Sequence, residues 1–458
     1  MNRANELKIA YVGGGSRGWA WGLMSDLAAC PELSGSVYLY DIDFDAAKAN
    51  EIIGNKYKDA EGAKSAWNYR AVKTIGEAMT GADFVVISIL PGTFDEMESD
   101  VHTPEKYGVY QSVGDTSGPG GVIRALRTLP MMEEIARAIE TYCPEAWVIN
   151  YTNPMTLCVA QLYKTFPQIK AFGCCHEVFG TQRFLASIVA DELGLESIPR
   201  NEIKETVLGV NHFTWLTEAH YREMDLFPLY RRYCETHKNC GKEIQSDDNW
   251  MNNHFRSAEK VKMDLFLRTG YFASAGDRHL AVCCPGKWFL ESPERVLDMK
   301  FRLTPVSWRK KNLQDRLDRS ARLLSGEEPV ALKLTGEEGV MQMKALLGLG
   351  DLVTNVNLPN VGQISNLPLG AVVETNASFT RNKVSPVFSG AIPPVVNQLV
   401  SKISQEQAAI LEAVEKRDLE LAFAAFCADP LVTCNLTDAR AMFDEMIENT
   451  KHYLTMYF

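Results

Sequence analysis

A thiol, an imidazole and a carboxylate stand side by side at Cys175-His176-Glu177, within Gly173-Cys174-Cys175-His176-Glu177-Val178. They follow the apolar Ala171-Phe172 and so fall at the C-terminal end of an expected strand, where open α/β sheets bind ligands. One thiolate plus one imidazole suits a divalent transition metal with positions left open for substrate or water. The plainer alternative is a buried cysteine pair beside a satisfied histidine. A second polar pair, Asn211-His212, interrupts two apolar runs within residues 208–213; a core histidine would explain it equally. Spacing alone does not join these two distant segments.

Three further segments carry useful groups. Residues 114–121 place Asp115 in a glycine-rich loop, residues 150–155 hold Tyr151 and Asn153-Pro154, and residues 270–279 hold Tyr271, Asp277, Arg278 and His279. Each could be a plain turn or strand end. Together they supply acids, a phenol, an amide and a guanidinium, the groups needed to hold hydroxyls and shuttle protons.

A cofactor signal precedes them all. Apolar Ile9-Ala10-Tyr11-Val12 runs into Gly13-Gly14-Gly15-Ser16. Glycines permit a tight turn and the close approach of backbone to a pyrophosphate at a helix N-terminus, and Ser16 adds a hydroxyl donor. The run Val37-Tyr38-Leu39-Tyr40 then ends in Asp41, 28 residues after Gly13. An acid there accepts hydrogen bonds from ribose hydroxyls and repels a 2′-phosphate, which favours NAD over NADP. Asp43 reads as a helix N-cap.

The elements that must position these groups follow from the pattern of apolar runs. Runs at residues 8–12, 37–40, 84–90, 146–151 and 171–173 alternate with helix-like segments at 21–29, 43–53 and 131–141. That rhythm predicts a doubly wound parallel sheet of Rossmann type. From about residue 205 the pattern changes to strand-like 206–210 and 213–216, a polar stretch 234–250, and then helices to the C-terminus. The expected division is a cofactor-binding domain 1–198 and an α+β domain 199–458 for substrate, metal and oligomerisation.

Composition narrows the function classes. The chain has 458 residues and a formal net charge of −11, with no polybasic patch to neutralise a nucleic-acid backbone. No apolar leader or membrane-length apolar run is present, so no membrane association is expected. The 11 cysteines are scattered, and the adjacent pairs Cys174-Cys175 and Cys283-Cys284 are poorly placed for disulfides. Reduced thiols in the cytoplasm are the expectation.

On the residue 12–16 loop, Asn153-Pro154, Cys175-His176-Glu177-Val178 and Val210-Asn211-His212, the chain resembles glycoside hydrolase family 4 over nearly its whole length. Those are NAD- and divalent-metal-dependent glycosidases sharing a fold with lactate and malate dehydrogenases. The resemblance implies metal ligands at Cys175 and His212, usually for Mn²⁺, and a substrate-contacting amide at Asn153. It implies C3 oxidation of the sugar by NAD, deprotonation at C2 with the metal steadying the anion, elimination of the C1 leaving group, water addition and re-reduction, outside the two-carboxylate scheme. His176 stands where phosphosugar members carry an aspartate acid, so His176 or Asp115 is the candidate acid. Asp277 is the favoured base and Tyr271 its alternative. The Cys-His-Glu-Val variant resembles the α-galacturonidase subgroup, for which a planar arginine, Arg278 first, would take the uronate carboxylate. Nearby alternatives are α-glucuronidase, α-galactosidase and α-glucosidase activity, or a plain NAD-dependent dehydrogenase. Relatives imply a homodimer or homotetramer.

Overall fold

The computed structural model describes residues 4–243 and 256–458. Residues 1–3 of the polar N-terminus and 244–250 of the expected polar stretch lie outside them.

Strand β1 (Leu7–Val12) is buried almost throughout, as a strand covered by helices on both faces must be. It pairs in parallel with β2 (Gly35–Tyr40) and β4 (Phe84–Ile87). Beyond β2 lies β3 (Trp67–Val72), and beyond β4 lie β5 (Trp147–Asn150) and β6 (Lys170–Gly173), all parallel. The order β3-β2-β1-β4-β5-β6 is the doubly wound Rossmann arrangement, with its crevice at the switch between β1 and β4. The expected strand 84–90 is shorter than its apolar run. It ends at Ile87, and Ser88 turns beneath Gly13 while the Ile89 N–H bonds Thr152 Oγ1. Ser88, Ile89 and Leu90 form cleft wall instead.

The helices on the two faces begin where the sequence provides a start. Asp43 caps Phe44–Gly54 by accepting the Ala46 N–H at 3.0 Å, satisfying one of the open donors of the first turn. The helix Gly118–Tyr142 is longer than the 131–141 expected for it, because its first turns are buried glycines and small residues with no helical signature of their own.

The later half contributes to two sheets. β7 (Ile203–Val210) and β8 (Phe213–Tyr221) form a hairpin with a register shift at Thr206/Val207. The short β9 (Met224–Asp225) and β10 (Phe272–Ala273) both pair with β8. β11 (Leu352–Pro359), β12 (Val372–Thr380) and β13 (Lys383–Pro386) run antiparallel and join the first sheet beside β6, giving nine strands. One apolar cluster therefore interleaves Ile9, Ile149 and Phe172 with Met343, Val356 and Phe379. The C-terminal helices Pro394–Lys416, Leu419–Ala428 and Leu436–Thr450 appear as expected. Among the described residues no helix is long and apolar enough to cross a membrane.

Candidate active site

The carboxyl ends of β1, β4, β5 and β6 open into one long cleft of about 2550 Å³. That is several times the roughly 300–1,000 Å³ of an ordinary small-ligand pocket, so it has room for two ligands end to end. One end is the glycine loop. Gly13 has φ +91°, and a Cβ there would lie 2.0 Å from the Ser88 carbonyl oxygen, so no other residue fits. The Gly15 N–H donates to Asp41 Oδ2 at 2.8 Å. Gly13, Gly15, Ser16 and Asp41 all line the cleft, while Gly14 packs beneath against Leu39. Asn50 holds the loop from below by donating to the Gly14 and Ser16 carbonyls.

The other end gathers the chemistry. Asp115, His212 and His279 bring one ligand atom each to within 4.8 Å of one another. Three elements converge here. Asp115 comes from the loop before Gly118–Tyr142, His212 from the β7–β8 turn, and His279 from the helix Asp277–Cys283. His212 has φ +65°, a left-handed conformation that costs an ordinary side chain about 1 kcal/mol or more and collects at functional sites. Its Nδ1 lies 2.9 Å from Thr116 Oγ1, and its ring centroid is 4.0 Å from that of His279. Burial and the neighbouring His279 push the His212 pKa down to about 3, so its imidazole is neutral and able to coordinate. Burial alone would raise the Asp115 acid, but nearby positive charge, Arg124 first and Arg309 with it, holds it at about 2. Those charges favour the ionised form of Asp115.

Glu177 organises the neighbourhood. It pairs with His279 Nδ1 at 3.2 Å and accepts the Gly276 N–H at 2.6 Å, an orienting carboxylate of the kind that commonly backs a ligating histidine. His176 lies beside it with Nδ1 2.9 Å from Glu337 Oε1. Burial opposes the charged ring, yet the Glu337 hydrogen bond and the charges of Glu337 and Glu177 raise its pKa to about 9. His176 thus carries a proton at neutral pH. Trp19 stacks between it and Tyr151, with centroids 6.2 Å and 5.5 Å away.

The remaining sequence candidates fall in different places. Asn153 is in the cluster, its Nδ2 3.5 Å from Asp115 Oδ2. Cys175 is buried just behind, its thiol near Glu374 and the Asn211 amide and pushed well above the ordinary range by burial. It lies outside the mutually close group of Asp115, His212 and His279. Asp277 lines the cleft, with Oδ1 accepting the Lys262 N–H at 3.0 Å and Oδ2 buried without a hydrogen-bond partner in the protein. Burial and the charge of Glu259 raise its acid to about 7. Tyr271 packs against the apolar core and is not among the cleft-lining residues. Arg278 reaches the wall, but its guanidinium donates to the Arg302 and Ser112 carbonyls and to Thr304 Oγ1. Those bonds tie its helix to the loop of Ser112 and to the loop that carries Arg302 and Thr304. The groups that sequence reasoning left without a role are His279, Glu177, Glu337, Asn50, Arg124 and Arg309. His279 carried a signal, since it stands in the same Gly276-Asp277-Arg278-His279 run as two of the candidates.

A glycine cradle with an acid at the second strand, joined to a carboxylate–imidazole cluster in one cleft, defines a cofactor-assisted enzyme. The sequence pattern of family 4 glycosyl hydrolases matches residues 8–191, and that of their C-terminal domain matches residues 207–432. The chain belongs to that family. It is 60% identical to an α-galacturonidase of Thermoanaerobacterium saccharolyticum over 452 residues, 99% of this chain and 97% of that one. With an α-galacturonidase of Bacillus subtilis it shares 51% identity over 98% of each chain. Among solved structures, the Bacillus subtilis protein LplD, described as a glucosidase, superposes with a TM-score of 0.91 at 51% identity, covering 96% of this chain and 99% of that one.

Proposed function

We propose that this enzyme hydrolyses α-galacturonides, the glycosides of small pectin-derived oligosaccharides, with NAD and a divalent metal such as Mn²⁺ as recycled cofactors. The observation that carries the reading is the placement of Asp115, His212, His279 and Asn153 in the same cleft as the Gly13–Asp41 loop. Three curated relatives beyond the first, at 51–55% identity, bear the name α-galacturonidase.

The residues present fit both groups. The glycine turn leaves a side-chain-free floor for a pyrophosphate, and Asp41 stands where ribose hydroxyls need an acceptor. His212 and Cys175 are the metal holders that the resemblance gives, with Asp115 and His279 as the donors that geometry adds. When bound, NAD supplies a reversible hydride acceptor for the sugar's C3, and the metal supplies Lewis acidity at the adjacent oxygens. The protein does the rest. Asn153 holds a ring hydroxyl, and Asp277, with an acid poised near 7, removes the C2 proton. Protonated His176 donates to the departing C1 oxygen, and Trp19 gives the sugar an apolar wall. Residues 1–198 serve the cofactor and also carry Asp115, Asn153, Cys175 and His176, while 199–458 bring His212, Asp277 and His279 to the metal and substrate side. The 11 free thiols support a cytoplasmic location, and a homodimer or homotetramer is the proposed form.

The test is hydrolysis of 4-nitrophenyl α-galacturonide or digalacturonate with NAD⁺, Mn²⁺ and a reductant. Removing either cofactor should abolish turnover, and Cys175→Ser and His279→Ala should each weaken Mn²⁺ binding by about 10–100-fold. NADH accumulating in step with substrate would instead mark a plain dehydrogenase, and indifference to both cofactors would overturn the reading.

A further inference from the structure

A uronide brings a carboxylate into the cleft, and Arg278 is already committed to three protein acceptors. A different arginine is better prepared. Arg124 lies on the helix Gly118–Tyr142, is 4% exposed, and lines the cleft. Its Nε donates to the Asn153 carbonyl at 3.3 Å, while its Nη1 is buried with no hydrogen-bond partner in the protein. On the neighbouring residue, Asn153 Oδ1 is buried and equally without a partner. A cationic donor and a neutral acceptor thus sit side by side, unsatisfied, at the substrate end. Buried polar groups are left in that state at a cost, and a ligand that pairs both recovers it.

Charge points the same way. Asp115 is the acid that acts most strongly on both Arg124 and Arg309. The other acid acting on Arg124, Asp100, is already in a buried ion pair with Arg127. Once Asp115 serves the metal, the Arg124 guanidinium faces the cleft with its Nη1 open to an anionic partner, and Arg309 adds positive charge to the same wall. A ligand carrying a carboxylate and a hydroxyl on neighbouring ring carbons answers both the charge and the two orphan atoms. A C5 hydroxymethyl sugar answers only the hydroxyl.

We infer that Arg124, with Arg309 as the second positive group, is the specificity residue that holds the sugar's C5 carboxylate, beside a hydroxyl held by Asn153. This rests on the uronide reading above. Charge-assisted bidentate pairing in a buried site is worth a discrimination on the order of a hundredfold.

The experiment is calorimetric binding of D-galacturonate and D-galactose to the enzyme loaded with NAD⁺ and Mn²⁺, for the parent, Arg124→Met, Arg124→Lys and Arg309→Gln, each checked for folding by thermal melting. The preference for galacturonate should fall about a hundredfold in Arg124→Met and partly in Arg124→Lys, which keeps charge but loses the planar fork. Weakening of both sugars by the same factor, or an unchanged preference, would overturn the assignment. Should Arg124→Met fail to fold, Arg309→Gln decides. A preference reduced about tenfold supports the inference, and an unchanged one sinks it. A parent that binds both sugars equally would instead refute the uronide reading itself.

Discussion

At the scale of single residues, the site was half legible. Asp115, Asn153 and His212 carry their signal in local context, as polar groups at strand ends or turns where a core residue would be apolar. His212 even occupies a left-handed turn position. Glu337 had no such signal. It comes from a segment remote in sequence and acquires meaning only through its 2.9 Å contact with His176 Nδ1. That contact occupies Nδ1, while Nε2 lies 4.0 Å from Glu177 Oε1. Glu337→Gln keeps the hydrogen-bonding shape but removes the charge that favours a protonated ring. Proton donation matters most when the leaving group is a poor one. We therefore expect kcat to fall roughly 10–100-fold for an alkyl galacturonide or digalacturonate and far less for the nitrophenyl glycoside. Equal losses on both, measured by steady-state rates, would remove His176 from the acid role.

At the scale of elements, the parallel strands and the β7–β8 hairpin are readable because each is a continuous apolar run bounded by turn residues. β3 is less so, since Trp67–Val72 alternates exposed and buried positions at a sheet edge. β11 and β12 were hidden for another reason. They bury Asn355, Asn357 and Glu374 in mid-strand, which blunts the hydrophobic pattern, and their partner β6 is far away in sequence. One joint between elements makes a pH prediction. Glu205 on β7 is partly buried, takes a 2.9 Å hydrogen bond from Gln182, and faces Lys204, Arg200 and Asn376. Burial raises its acid to about 7 despite these partners. The folded state therefore holds the proton more tightly than the unfolded chain does, so stability declines as pH rises from about 4.5 to 7 and levels off above that. Glu205→Gln removes the buried charge. Its midpoint should exceed the parent's at pH 8 by an amount corresponding to about 1–3 kcal/mol and match it near pH 4.5. A variant less stable than the parent at pH 8 would refute the sign.

At the scale of the whole molecule, the two halves separated by composition share one sheet and one core. The strand Lys170–Gly173 carries Phe172 against Phe379 at 5.1 Å between ring centroids. Beyond the sheet, residues 319–337 strap the Rossmann face. Arg319 lies over the Trp21 ring at 5.5 Å, Lys56 Nζ bonds the Leu324 carbonyl at 3.0 Å, and the Thr335 N–H bonds Asp26 Oδ1 at 3.0 Å. A fragment ending at residue 198 would expose the β6 edge and the apolar face that Met343, Val356 and Phe379 cover, and unpaired edges and bare apolar faces favour aggregation. The intact chain should accordingly melt in one calorimetric transition, and the fragment 1–198 should neither remain soluble nor bind NAD⁺. Saturating NAD⁺ at about 100 times its Kd should add roughly 2.7 kcal/mol to the intact enzyme, and that gain should raise the single midpoint as a whole. In Gly13→Ala, where a Cβ would meet the Ser88 carbonyl, the gain should vanish. Two resolved transitions, with NAD⁺ moving only the first, would show instead that the shared sheet does not couple the cofactor end of the cleft to the end that holds His212 and His279.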